Sequence, residues 1–452
     1  MDDALLGHTA EDLERLDRAH VWHPFTHMRD HEPLIIVRGE GVRLQDAHGR
    51  WYLDATSSIW LNVHGYRVRE IDDAVRTQLD NVAHSTLLGL GNVPSVLFAE
   101  RLVRASPPGL TRVFYADNGA GAVEAAIKIA IQFWSNQGRS RPYVLGFTGN
   151  YHGDTLGAVG VAPDELFHRP FLELLPGHPR VPYPDPYRSD DPDRCLADTL
   201  AAADAAVRER DDIGAVIVEP VQGAGGIVVP PPGLLAGLRS LCDERDVLLI
   251  VDEVATGFGR TGRMWACDAE GVTPDLLCTG KGISGGYLPI AATLATERVF
   301  GAFLGAPDEG RTFFHGHSYA GNALGCAAAL ASLDLLEALL PLLPNKVALL
   351  SRELAPLADE PHVGNLRQAG FMVGLELVRD RSDRAPYPYA SQAGWVVARA
   401  ARKRGLLVRP IGNVVVFMPP PGAGDEDLRE MASILGDSFI ASRDVLERLA
   451  LR

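Results

Sequence analysis

The sequence predicts an α/β protein in which a mostly parallel sheet covered by helices forms a large domain, joined by a smaller α+β domain. Three observations predict it. Short apolar runs of four to eight residues alternate with helical patterns through the middle of the chain, as in repeated strand–helix units. Those runs are continuously apolar rather than alternating, as strands covered on both faces are. Towards both ends the pattern changes to shorter strands, turn signals and amphipathic helices.

Length and composition agree. The 452 residues are 46% hydrophobic and 22% charged, enough chain for about two or three domains of roughly 150 residues or more and too apolar for general disorder. With 43 Lys+Arg against 58 Asp+Glu the net charge is −15, and no Lys/Arg run interrupts that balance. Such a surface repels phosphate backbones and anionic lipid, so neither nucleic acid nor a membrane is an expected partner.

Taken in order, the N-terminal MDDALLGHTAEDLERLDRAH is acidic and polar, without the basic and apolar regions of a secretory leader. His20, His23 and His27 follow closely, but Pro24 breaks any helix that would align them, and they read as structural. Residues 34–54 read as short antiparallel strands with a turn at His48-Gly49. Helical patterns cover 121–135, 193–210 and 233–244. Between them lie the apolar runs 144–147, 215–220, 247–254, 275–282 and 291–296, rich in Val, Ile and Leu. Residues 176–193 are proline-rich and too long for an ordinary connection, so they read as a functional loop or an excursion across a subunit interface. The apolar stretch Ala327 to Pro344 is interrupted by Asp334 and Glu337 and reads as a core helix rather than a membrane span. Beyond it lie a strand-like HVGNLRQAGFMVGLELV, a helix near 391–404 and the strand VVVFMPP. The expected division is an N-terminal segment, 1–65, joining the small domain; a large domain, 66–328; and a C-terminal small domain, 329–452. Five scattered cysteines, 195, 242, 267, 278 and 326, form no C-x-x-C pair and indicate a reducing compartment, hence the cytoplasm.

The residues with chemical promise concentrate at the ends of the predicted strands. Asp252 ends LLIVDEV, where a parallel sheet delivers side chains into a ligand crevice. Lys281 follows DLLCTG and is held between Gly280 and Gly282. A desolvated lysine amine there is a nucleophile toward an aldehyde. A carboxylate facing a pyridine nitrogen keeps that ring protonated and electron-accepting, and the two together are what pyridoxal phosphate requires of a protein. Taken singly, a turn lysine and an acidic strand end would serve equally well as surface residues.

Asn118-Gly119-Ala120-Gly121 opens a helix with small residues, which suits an anion at the helix N-terminus. Glu124 breaks the match to G-x-G-x-x-G, so a dinucleotide reading is weak. In Tyr151-His152-Gly153-Asp154 the tyrosine can stack on a flat ring and Asp154 orient its neighbours, or the tyrosine can simply fill a tight turn. In Phe314-His315-Gly316-His317-Ser318-Tyr319 the two histidines lack a third ligand of suitable spacing, so no metal is expected, and position 318 suits a phosphate better. Arg409 can grip a carboxylate with its two-pronged guanidinium, or stand as an exposed structural arginine. Gly282-Ile283-Ser284-Gly285-Gly286 fits the hydrolase elbow G-x-S-x-G, but Gly-Gly-Tyr-Leu-Pro cannot supply the helix that elbow requires.

LLIVDEVATGFGRTGRMWA followed by DLLCTGKGISGGYLPIAATLAT strongly resembles the class III, fold type I pyridoxal-phosphate aminotransferases. HVWHPFTHM, SSIWLNVHGY, NYHGDTLGAVGV and FFHGHSYAGNALGCAAAL resemble the branch of that family that aminates 8-amino-7-oxononanoate in biotin synthesis. The resemblance spans about residues 20 to 420. It implies pyridoxal 5′-phosphate as cofactor, small-molecule amino donor and keto acceptor as partners, and a homodimer whose active sites are shared. By motif, Lys281 would be the Schiff-base lysine and Asp252 the partner of the pyridine nitrogen. Gly119, Ala120 and Ser318, with His317 beside it, would hold the phosphate, Ser318 coming from the other subunit. Tyr151 would lie by the ring, Trp60, Ile59, Phe25 and Gly316 near the substrate, and Arg409 on its carboxylate. Members of the branch that use S-adenosyl-L-methionine as donor typically read W-H-P-Y, S-S-W-W and H-G-P-T. Here Phe25, Ile59 and His317-Ser318 stand in those motifs. A sulfonium gains about 0.5–2 kcal/mol from each aromatic face, so these replacements resemble the lysine-using branch. Other class III enzymes acting on ornithine, 4-aminobutyrate or a polyamine are the nearest alternative. A pyridoxal aminomutase or epimerase and a non-catalytic binder on the same fold stand further off.

Overall fold

The computed structural model describes residues 5–451, side chains of 165 and 166 excepted. Positions 1–4 and 452 of the expected terminal segments lie outside the described residues. In chain order the strands are β1 (Ile36–Glu40), β2 (Arg43–Asp46), β3 (Trp51–Asp54), β4 (Leu110–Ala116), β5 (Tyr143–Phe147), β6 (Arg180–Val181), β7 (Ile213–Val218), β8 (Leu248–Asp252), β9 (Leu276–Thr279), β10 (Ala291–Thr296), β11 (Val363–Ala369), β12 (Met372–Asp380), β13 (Ala385–Pro386), β14 (Leu406–Leu407), β15 (Arg409–Ile411) and β16 (Val414–Phe417).

A seven-stranded sheet in the order β4-β10-β9-β8-β7-β5-β6 is the frame. The pairs from β9 to β6 are parallel, and β10 alone runs antiparallel to both its neighbours. The five apolar runs predicted as strands are β5, β7, β8, β9 and β10. Their apolarity is continuous because successive residues serve opposite cores. In β8, Leu248 and Ile250 pack with Ala126, Ile127 and Phe133 of the helix Gly119–Ser135. Leu249 and Val251 pack with Leu234 and Leu238 of the helix Leu234–Arg245 on the other face. β4 was not foreseen: as an edge strand it leaves Thr111 and Arg112 exposed, so its apolar run is broken.

The N-terminal strands do not stand alone. β1, β2 and β3 form an antiparallel sheet completed by β14, which pairs with β3 in parallel at Leu53 and Leu406. Val42, Leu53 and Ala55 share a core with Leu350, Val373, Val397, Val415, Phe417 and Leu435 from the last third of the chain. A second sheet there runs β11-β12-β16-β15, with β13 on β12.

The apolar stretch Ala323–Asp359 is long and apolar enough, by composition, to cross a membrane. It is nevertheless a core element: Ala328, Ala329, Leu333 and Leu336 are fully buried, and a one-turn break holding Pro341 divides it into the helices Ala323–Leu339 and Leu343–Leu354, the second opening with Pro344 in its first turn. The proline-rich 176–193 segment adds β6 to the sheet edge and then crosses to the C-terminal sheet. There Arg188 donates through Nε to Glu376 Oε1 at 2.9 Å and through Nη1 to the Arg384 carbonyl at 2.7 Å. His23 groups neither with His20 nor with His27 but with His31, around Asp17 of the helix Ala10–His20.

Candidate active site

The carboxyl ends of β5, β7, β8 and β9 open into a cleft of about 770 Å³, the place where open parallel sheets bind ligands. Asp252, the last residue of β8, is buried there. Its Oδ1 accepts the Val254 N–H at 3.0 Å, and its Oδ2 lies 2.7 Å from Nδ1 of the buried His152. Lys281 follows β9 by two residues, in the left-handed conformation at φ 44°, and opens a single 3-10 turn, Lys281–Ser284. A non-glycine residue held there is a strained backbone position. Burial draws its amine pKa down, opposed by the charges of Asp252 and Glu219. Its Nζ sits 4.5 Å from the centre of the Trp60 ring.

Trp60 reaches that position through an unusual turn: Ser57, Ser58, Ile59 and Trp60 are all left-handed, with φ from 48° to 74°. The fully buried Arg260 braces it. Its guanidinium donates to the carbonyls of Trp60, Asn62 and Pro419 and to Ser57 Oγ, while desolvation lowers its pKa to about 9. Asp54 braces the other side, accepting the N–H groups of Thr56 and Ser58 at 2.9 and 2.8 Å.

Across the cleft the helix Gly119–Ser135 begins. Asn118 caps it, its Oδ1 accepting the Gly121 N–H at 2.8 Å, and the first-turn residues Gly119 and Ala120 line the cleft. Bare backbone is required here. A Cβ on Gly119 would come within 2.6 Å of Val254 Cγ1, and one on Gly153, at φ +115°, within 2.3 Å of Ala120 Cβ. Tyr151 is half-buried beside them, its hydroxyl donating to Asp154 and its N–H to Glu219, both at 2.8 Å. Burial raises its phenol pKa.

Lys281, Asp252, Gly119, Ala120, Tyr151 and Trp60 thus share one cleft. Phe25, Ile59, Gly316, His317, Ser318 and Arg409 are not among its lining residues. Gly316 and Ser318 are exposed, and His317 turns back to lie 3.3 Å from Asp117 of the same chain. Arg409, half-buried, donates to the Phe25 carbonyl at 2.8 Å and rests over Trp395. Ser284 of the elbow-like sequence donates to the Leu288 carbonyl at 2.7 Å within a turn.

Two residues escaped the sequence reading. His152 lies inside the Tyr-His-Gly-Asp quartet, between the two residues whose roles the sequence suggests. Glu219 directly follows β7 in the run AVIVEP, and the strand-end logic applied to Asp252 reaches it. It is buried, accepts the N–H groups of Tyr151 and Gly223, and is pushed up to about 7, chiefly by desolvation.

The cleft suits a flat, phosphorylated aldehyde: a helix start stripped of side chains for an anion, a buried carboxylate for a ring nitrogen, and an amine of depressed pKa for the aldehyde carbon. Comparisons agree. Residues 25–439 match the aminotransferase class-III family. A Geobacter sulfurreducens protein named adenosylmethionine-8-amino-7-oxononanoate aminotransferase is 48% identical, covering 92% of this chain and 94% of its own. The crystal structure of the Methanocaldococcus jannaschii protein of the same name is 42% identical with a TM-score of 0.91, covering 95% of this chain and 99% of that one. A PLP-bound amine transaminase from an uncultivated Pseudomonas species is 35% identical with a TM-score of 0.90, covering 93% and 98%.

Proposed function

The chain belongs to the class-III aminotransferases, and on that premise we propose that it aminates 8-amino-7-oxononanoate to 7,8-diaminononanoate in biotin synthesis, drawing the amino group from L-lysine or S-adenosyl-L-methionine. It is an enzyme of fold type I, and its cofactor is pyridoxal 5′-phosphate. The observation that carries the reading is the convergence of Lys281 and the His152-paired Asp252 on one cleft beside the bare helix start.

Bound there, the cofactor supplies an aldehyde that takes up an amino group and a ring that accepts the electron pair from the adjoining carbon. Lys281 would anchor it through Nζ and would serve as base and then as acid, moving a proton at that amine. The depressed pKa keeps a neutral amine accessible for that work. Asp252 holds the proton on the ring nitrogen, and His152 holds Asp252. Gly119 and Ala120 receive the phosphate, Tyr151 covers the ring, and Trp60 walls the substrate side of Lys281. Arg409, already beside the Phe25 carbonyl, takes the acceptor's carboxylate.

A homodimer completes the site in this reading. Leu88, Leu90, Phe314 and Tyr319 are each more than half exposed. Leu88 lies close to Gly316, and the Tyr319 ring stands 4.9 Å from that of His84. A second copy seated on that surface brings Gly316, His317 and Ser318 of one protomer to the cofactor phosphate and substrate of its partner. All five cysteines are buried and unpaired, which supports a reducing compartment, the cytoplasm.

For the donor, Ile59 favours L-lysine, since a sulfonium would lose an aromatic face there, and Phe25 keeps its ring but lacks a hydroxyl. The test supplies purified holoenzyme with 8-amino-7-oxononanoate and either donor and measures diaminononanoate. Turnover with lysine supports the donor assignment and turnover with S-adenosyl-L-methionine alone reverses it. Transamination of ornithine, 4-aminobutyrate or a polyamine, with no product from 8-amino-7-oxononanoate, would replace the whole reading.

A further inference from the structure

The N-terminal helix is joined to the segment after it by side chains that the transamination reading does not use. Asp17, on the last turns of the helix Ala10–His20, is turned inward at the edge of burial. His23 Nε2 stands 3.0 and 2.9 Å from its two carboxylate oxygens, and His31 Nε2 lies 3.3 Å from Oδ1. The two imidazoles lie face to tilted face, their centres 4.2 Å apart. One ligand atom from each of the three residues falls within 4.8 Å of the others. His31 Nε2 is buried with no hydrogen bond of acceptable geometry, although it lies beside a carboxylate.

We propose that Asp17, His23 and His31 form a binding site for a divalent transition ion of the zinc type, which clamps the N-terminal helix to the segment that carries Phe25. The donor set fits: imidazole and carboxylate are ligands of zinc and its neighbours, and three protein ligands leave a fourth tetrahedral position for water. Ligand atoms about 2.05 Å from a tetrahedral ion stand about 3.3 Å apart. His31 is already at that separation from Asp17, and His23 needs to withdraw by only a few tenths of an ångström. An ion between them also gives the stranded His31 nitrogen a partner for its lone pair.

The site has a route to the catalytic end. Phe25 lies between the two histidine ligands in sequence, in the left-handed conformation at φ 48°. Its carbonyl holds the Arg409 guanidinium at 2.8 Å. An ion that fixes positions 17, 23 and 31 therefore fixes the loop against which Arg409 is oriented.

The experiment uses tag-free holoenzyme dialysed against zinc in the presence of a weak competing chelator, with bound metal counted by mass spectrometry. His31→Gln is the decisive variant, because glutamine keeps bulk and a hydrogen-bond donor but is a poor ligand; Asp17→Asn and His23→Gln accompany it. The proposal expects one zinc ion per protomer in the wild-type protein and at least a tenfold weaker uptake in H31Q. It also expects zinc to slow proteolysis within residues 5–31 of the wild-type protein but not of H31Q. No uptake by the wild-type protein, or equal uptake by wild type and a folded H31Q, overturns it. Should D17N or H23Q fail to fold, H31Q decides alone, since His31 makes no hydrogen bond to lose.

Discussion

His152 Nδ1 stands 2.7 Å from Asp252 Oδ2, and both side chains are buried at the floor of the cleft. The carboxylate has one further partner, the Val254 N–H, so the imidazole fixes the orientation in which it faces the cleft. Removing one partner of a buried charge-assisted hydrogen bond costs about 1.5–3 kcal/mol. His152→Ala should therefore lower kcat by roughly ten- to a hundredfold while Asp252 remains in place. Asp252→Asn, which removes the charge itself, should lower it further. Steady-state rates of the two variants, normalised to bound cofactor, check the order.

Gly153 packs against Ala120 at the helix start proposed to receive the phosphate. An alanine there would put its Cβ 2.3 Å from Ala120 Cβ at a φ of +115°, and overpacking with backbone strain costs about 1–3 kcal/mol or more. Gly153→Ala should lower the melting temperature and, by displacing the first turn of the helix at Gly119, release cofactor on gel filtration. Unchanged cofactor content would remove Gly119 and Ala120 from the phosphate site.

Glu219 sets a pH dependence with a definite sign. Burial lifts its carboxyl from about 4.5 to about 7, so the native protein keeps this proton to higher pH than the unfolded chain does. Its stabilising contribution is complete below pH 4.5 and is lost as pH rises through about 7. Glu219→Gln carries no charge across that window. Melting curves should show wild type losing stability relative to E219Q between about pH 5 and 8; parallel profiles would mean that the carboxyl titrates normally.

Arg260 holds Trp60 without lining the cleft. Arg260→Lys keeps a charge but cannot bridge Ser57, Trp60, Asn62 and Pro419 together. The loss of several bonds to buried carbonyls should destabilise the protein by about 2–4 kcal/mol. In the protein that still folds, the substrate KM should rise more than kcat falls. Thermal unfolding and initial rates measure the two effects.

Much of this was legible in the sequence because the relevant strands are buried on both faces. β5, β7, β8, β9 and β10 announce themselves as unbroken apolar runs, and Asp252 and Lys281 are read from their position at strand ends. β4 hid because a solvent-facing edge dilutes the pattern. His152 hid for a different reason: it acts through Asp252, which is distant in sequence, whereas Glu219 stands just past a strand end and was legible by the same logic as Asp252. The left-handed turn at Ser57–Trp60 carries no glycine to mark it; it is braced by the neighbouring Asp54 and by Arg260, which only the folded chain brings near. The same holds for His31, which joins His23 beside Asp17.

The most direct test of the central claim is one comparison between the wild-type protein and Lys281→Ala. Each is reconstituted with pyridoxal 5′-phosphate and given 8-amino-7-oxononanoate with lysine or S-adenosyl-L-methionine, and diaminononanoate is read by mass spectrometry alongside the visible absorbance of the lysine-linked cofactor. The account predicts product and absorbance from the wild type and neither from K281A. Product from K281A at the wild-type rate, or none from a cofactor-loaded wild type with either donor, would contradict it.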